Sequence, residues 1–275
     1  MVQDKIVIGT ARNGLYLHAM EASSNSSVWD TGSFPVASVL SAGHYEGKVK
    51  EGRINCVCCS PDSSLFATGG SDETVILWDG RLGSPVETLR CALLHTLECI
   101  ATPVAMDWGP AECAAKCWVA VVFKTGNTNI LEVEQGKSLK VKTHIQGKGS
   151  GASVRFSPDA NFLAVGRRSG RLDFYGGGGG EFALLKSFSA HSGPCCAVDW
   201  ALGHGHFFVR SNSYLPEELL FWHVPTAAKE TGKEVKEGDQ SIKQVKRMKD
   251  LVRCQWVKQV CRISWFIEID LYGMF

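Results

Sequence analysis

INCVCCSPDSSLFATGGSDETVILWD, residues Ile54–Asp79, is the stretch that decides the fold. It divides into three apolar segments, INCVCC, LFATGG and TVILWD, joined by two polar breaks. Alternation with period two puts successive side chains on opposite faces, which is the signature of a strand. Ser60-Pro61-Asp62-Ser63 is turn chemistry, because proline presets φ and aspartate bonds its own backbone. Ser71-Asp72-Glu73-Thr74 reads as a second tight turn, and PVETLRC after Gly80 as a fourth strand.

The same grammar returns along the chain. PVAMDWGPA from Pro103, SVRFSPDAN from Ser153 and CAVDWALGH from Cys196 repeat the first segment. WVAVVF, FLAVGR and HFFVRS repeat the second, and NTNILEV, GRLDFYG and EELLFWH the third. Pro61, Pro110 and Pro158 are spaced by 49 and 48 residues. Self-similarity at this period, with strand-like alternation, means one four-stranded antiparallel unit stacked on copies of itself. The expected fold is an all-β propeller of four full four-stranded blades. KIVIGTARNGLYLHAM from Lys5 matches only the second and third strands of a blade, so it adds a partial one to an incomplete ring.

Bulk numbers exclude several classes. Lys+Arg 29 against Asp+Glu 28 gives a net charge of +1, so nothing global steers the chain to nucleic acid or an anionic membrane. With 44% apolar and 21% charged residues the composition is globular. Apolar runs such as Trp118–Phe123 are too short for a membrane helix. MVQDKIVIGT has no secretory n-region or h-region, so Asn25-Ser26-Ser27 reads as an accidental glycosylation match. The odd cysteine count of 11, without an export signal, points to core thiols in a reducing compartment. Cys113 and Cys117 form one loose pair, and His204-Gly205-His206 lies in a turn, so no metal is expected. Gly176–Gly180 precedes a strand, not a helix N-terminus, and reads as a flexible hairpin without phosphate chemistry. No cofactor and no small-molecule substrate is expected.

ATGGSDETVILWD, from Ala67 to Asp79, with Gly43-His44 upstream, resembles the WD-repeat signature. The resemblance implies a buried tetrad of His44, Thr68, Asp72 and Trp78. Asp72 would accept from the His44 ring and from turn amides, while Thr68 links His44 to the Trp78 indole. Such a network fixes blade geometry, so these residues are expected to be structural and not catalytic.

Longer strings are more specific. GHYEG from Gly43, LAVGRRSGRLDFY from Leu163, AHSGPCCAVDW from Ala190 and SNSYLPEELLFWHV from Ser211 occur in fixed order. Together with DLVRCQW from Asp250 and Cys261, they are similar to the echinoderm microtubule-associated protein-like family, in the second of its two tandem propellers. The resemblance implies a non-enzymatic, microtubule-associated scaffold of the cytoplasm and cytoskeleton, with protein partners and tubulin foremost. A general WD-repeat adaptor in a signalling or ciliary complex is the alternative. A propeller hydrolase is more remote, since no convergent acids and bases stand outside the tetrad.

The organisation expected is propeller blades over 1–225, a charged linker over 226–253 and a degenerate segment over 254–275. Ile242, Val245, Met248 and Val252 fall at helical spacing, so the linker is expected to hold a short amphipathic helix. Tyr214-Leu215-Pro216-Glu217 replaces the family's glycine–aspartate turn. Incomplete blades at both ends read as a fragment of a longer protein. Basic residues recur at the turns between second and third strands: Arg12, Lys124, Arg167, Arg168 and Arg171. They are the candidate partner-binding rim, an electrostatic handle for an acidic partner.

Overall fold

The computed structural model describes residues 4–9, 14–20, 38–41, 45–46, 50–51, 53–62, 64–79, 93–99, 101–110, 117–134, 138–177, 181–203, 206–214, 216–225, 241–246 and 255–256. Among them every regular element is a strand. The first sheet contains β1 (Asp4–Gly9), β2 (Gly14–Met20) and β3 (Ser38–Ser41), and β4 (Tyr45–Glu46) pairs with β5 (Lys50–Glu51). The second sheet is β6 (Ile54–Cys59), β7 (Leu65–Gly70), β8 (Thr74–Asp79) and β9 (Leu93–Glu98). The third is β10 (Pro103–Trp108), β11 (Cys117–Phe123), β12 (Thr128–Glu134) and β13 (Ser138–Ile145). The fourth is β14 (Gly151–Phe156), β15 (Phe162–Arg167), β16 (Arg171–Gly176) and β17 (Ala183–Ser189). The fifth holds β18 (Ala197–Gly203), β19 (His206–Tyr214), β20 (Glu217–Val224) and β21 (Lys243–Gln244), with β22 (Gln255–Trp256) on the other side of β18.

Apart from β22, each sheet is an antiparallel meander, and the second to fifth sheets stack face to face. Period-two alternation gives every strand one set of side chains for each neighbour. In β7 Ala67 faces the third sheet, joining Val119, Val121 and Phe123 in one core cluster. In β11 Ala120 and Val122 point the other way, to Leu163, Val165 and Tyr175 of the fourth sheet. Ala164, Leu172 and Phe174 then meet Val198, Phe207, Val209 and Trp222 of the fifth. Three apolar interfaces therefore join four complete sheets.

The first strands of these sheets lie side by side. Asn55 Nδ2 donates to the Pro103 carbonyl at 3.1 Å, and Ser153 Oγ to the Cys195 carbonyl at 3.0 Å. Buried Asp107 on β10 accepts from the Phe156 backbone N–H and from Arg155, both at 2.8 Å, on β14. Burial pushes the Asp107 carboxyl up from its ordinary value, against the pull of Arg155 and the Phe156 amide. Contacts between first strands, and of each second strand with the next first strand, describe blades set around an axis. β1 touches β6 as β7 touches β10, so the first sheet supplies second, third and fourth strands. Four full blades and one partial blade of a β-propeller result.

Two local expectations are corrected. The fourth strand of the second sheet is LLHTLE, whose Leu97 packs on the core, while PVETLRC lies outside the described residues. Lys243–Gln244 form a strand against Trp222 and His223, and not a helix. Ile242 is buried among Leu172, Phe174 and Phe188, and Lys186 Nζ donates to its carbonyl at 3.0 Å. Burying one apolar side chain while pairing backbone groups is a strand's solution at a sheet edge. The neighbouring Met248 and Val252 lie outside the described residues.

Candidate functional site: polar networks beneath the rim

The turns between second and third strands share a rim with the connections that enter each sheet. The Ser71 N–H bonds the Arg53 carbonyl, Lys124 that of Thr102 and Arg168 that of Ser150, at 2.8, 2.9 and 2.9 Å. Under this rim the second, fourth and fifth sheets pair buried polar groups, each with different residues.

In the second sheet the Trp78 indole N–H donates to Thr68 Oγ1 at 2.9 Å, and both residues are buried. Trp78 also stacks on Phe66 with centroids 5.8 Å apart. Asp72 Oδ1 accepts from the Thr74 hydroxyl at 2.9 Å and from its N–H at 3.3 Å. His44, the fourth residue expected here, lies outside the described residues.

The fifth sheet carries a complete network that the sequence reading missed. The Trp222 indole donates to Ser211 Oγ at 2.9 Å, and Ser211 Oγ lies 2.8 Å from His191 Nε2. His191 Nδ1 stands 3.1 Å from Glu218 Oε2, which also accepts from the Ser192 N–H at 3.0 Å. An oxygen that accepts from an indole has its own proton free for Nε2, which leaves Nδ1–H to donate to Glu218. Serine, histidine and carboxylate in this order resemble a hydrolytic triad. Ser211 is 0% exposed and its oxygen is already held by Trp222, so no acyl carbon reaches it. The signal was available: Ala190-His191 occupies the place of Gly43-His44, and Ser211 precedes Trp222 as Thr68 precedes Trp78. Glu218 was hidden because the acid sits at the start of β20 and not in the turn.

The fourth sheet departs furthest. Tyr175, at the site of Trp78 and Trp222, accepts from Arg167 Nη2 at 2.9 Å. Arg167 is 0% exposed. Its Nε donates to Asp173 Oδ2 at 2.8 Å and its Nη1 to the Gly126 carbonyl of the third sheet. Arg171 and Ser187 also donate to Asp173, at 3.4 and 2.5 Å. Arg167 is thus corrected from rim residue to core residue, its charge answered by Asp173. Arg171 is half-buried and engaged, while Lys124 and Arg168 are exposed at the rim. Arg12 lies outside the described residues.

Cys56, Cys58, Cys59 and Cys195 are buried, and burial pushes the Cys195 thiol up to about 12 and Cys56 higher still. Buried thiols of this kind pack as small apolar groups. Cys113, His204 and Gly205 lie outside the described residues, and His206 rests on the His223 ring at 4.9 Å.

Meandering sheets around an axis, with indole–hydroxyl networks under one rim, define a WD-repeat propeller. Residues 24–79 match the family described as WD domain, G-beta repeat. The fold is shared with the crystal structure of Saccharomyces cerevisiae Sqt1, at a TM-score of 0.51 and 17% identity, covering 62% of this chain and 44% of that one. Human echinoderm microtubule-associated protein-like 3 is 26% identical over 63% of this chain and 18% of its own length. The 77 kDa echinoderm microtubule-associated protein of Strongylocentrotus purpuratus is 27% identical over 60% of this chain and 22% of its own. Mouse echinoderm microtubule-associated protein-like 1 is 24% identical over 76% and 33%. These proteins are homologues of this chain, which spans a fifth to a third of their length.

Proposed function

We propose that this chain is a non-enzymatic interaction scaffold whose propeller binds tubulin and places it on microtubules in the cytoplasm. The observation that carries the reading is the recurrence of microtubule-associated proteins among its homologues, across 60–76% of the chain. The buried networks support it, because they consume the polar side chains that could otherwise do chemistry and leave the rim for contact. Purified chain should pellet with taxol-stabilised microtubules and stay in the supernatant without them. Retention in the supernatant at low salt, with the protein folded, would sink the tubulin reading.

A further inference from the structure

We propose that the rim between the third and fourth sheets is a docking site for a short, extended acidic segment of a partner protein, held by Lys124, Lys148 and Arg168. The inference rests on the scaffold reading and names the chemistry of the partner at one place. Three separate turns meet there. Lys124 opens the turn between β11 and β12, Lys148 lies in the connection between β13 and β14, and Arg168 opens the turn between β15 and β16. The Gly147 N–H reaches Asn127 Oδ1 at 3.4 Å, and the Arg168 N–H reaches the Ser150 carbonyl at 2.9 Å. Gly126, at φ +96°, lies so close to the Gly149 carbonyl that a Cβ would come within 2.0 Å of that oxygen. Only glycine permits this approach.

The three side chains are exposed, and among the described residues none of them is ion-paired. Directly beneath them, Arg167 grips the Gly126 carbonyl and Asp173. One carboxylate there answers two arginines, since Arg171 also reaches Asp173 at 3.4 Å. The underlying network therefore adds positive charge to the rim instead of cancelling it. Elsewhere acids enter the rim. The second sheet presents exposed Glu73 beside exposed Arg53, and the turn of the fifth presents Glu217. The stretch that is basic without an exposed acid is confined to two sheets, which limits its occupant to a short segment.

Turns locked by backbone bonds and by a buried guanidinium hold these charges in place before binding, which lowers the cost of ordering them. Lys124 and Lys148 supply point charges, and Arg168 a planar fork that matches a carboxylate. Nucleic acid would want aromatic platforms for stacking, and none stands among these turn residues.

Fluorescence anisotropy with a labelled hexaglutamate peptide tests the site. The triple variant Lys124→Glu, Lys148→Glu, Arg168→Glu should bind about tenfold or more weakly, with a flatter dependence on salt. Lys140→Glu, at an exposed position paired with Glu134, serves as the control and should bind as the parent does. Arg168→Ala alone removes an outward side chain and should weaken binding without altering the thermal midpoint. Equal affinity of the folded triple variant and the parent would overturn the site, as would a preference for oligouridylate over hexaglutamate at matched salt. Peptide binding without microtubule pelleting would keep this site and remove tubulin. Pelleting unchanged in a triple variant that has lost the peptide would keep this site and place tubulin on another surface.

Discussion

The fourth and fifth sheets solve one problem with opposite chemistry. Each has to pin the start of its third strand and the connection entering the sheet, beneath a turn that faces solvent. The fifth uses a relay of largely neutral groups, Trp222 to Ser211 to His191, ending on a carboxylate near the surface. The fourth buries a full charge, Arg167, and neutralises it with Asp173. The sheet geometry is common to both, so it does not depend on a particular tetrad. What it demands is that the buried groups tying the third strand to its neighbours be paired, whichever residues do it.

The comparison breaks most sharply at Arg167. Replacing it by Met leaves the Asp173 carboxylate buried with less compensation, at a cost of about 3–5 kcal/mol in urea unfolding. Adding Asp173→Leu should recover much of that loss, because a buried pair exchanged for apolar side chains is often near neutral. A single variant less than about 1 kcal/mol weaker than the parent would mean that Arg167 is not committed to the core.

Next in size is the indole bond. Trp78→Phe keeps an aromatic ring against Phe66 but removes the donor to Thr68, so about 1–2 kcal/mol should be lost. Trp222→Phe should cost more, since Ser211 relays to His191 and Glu218 as well. Calorimetry on the two variants reads the difference, and equal losses would show that the relay adds nothing.

The smallest effect is one of pH. The Ser192 hydroxyl, then its N–H, hold the Glu218 carboxyl below its ordinary value of 4.5. A carboxylate with a lowered folded value stabilises above 4.5 and loses that contribution as pH falls through the folded value. The thermal midpoint of the parent should therefore fall below pH 4.5 more steeply than that of Glu218→Gln. Parallel curves would remove Glu218 from the network.

These contrasts explain what the sequence could reveal. Strands were legible where alternation was strong, as in INCVCC, or where a short apolar run is buried on both faces, as in WVAVVF. PVETLRC misled because it is apolar and follows a turn, yet β9 forms later. Arg167 misled because GRRSGR has turn composition, and charge in a turn usually faces water. Period two held the correction: Leu163, Val165 and Arg167 share one face of β15, as Arg171, Asp173 and Tyr175 do on β16. Ile242 and Val245 fit a helix equally well, and only partners distant in sequence, Phe221 to His223 on β20 and Lys186 on β17, show that the segment belongs to a sheet.

That last strand also bears on the order of folding. In the third and fourth sheets the third strand meets the fourth after a short connection, as β16 meets β17 across residues 177–182, whereas residues 80–92 lie between β8 and β9 and residues 225–242 between β20 and β21. Closing a longer loop costs conformational entropy before any contact rewards it, so among the four full sheets the fifth should finish last and open first. Hydrogen exchange should find the amide of Val245, bonded to the Phe221 carbonyl at 2.8 Å, among the earliest in the blades to lose its protection.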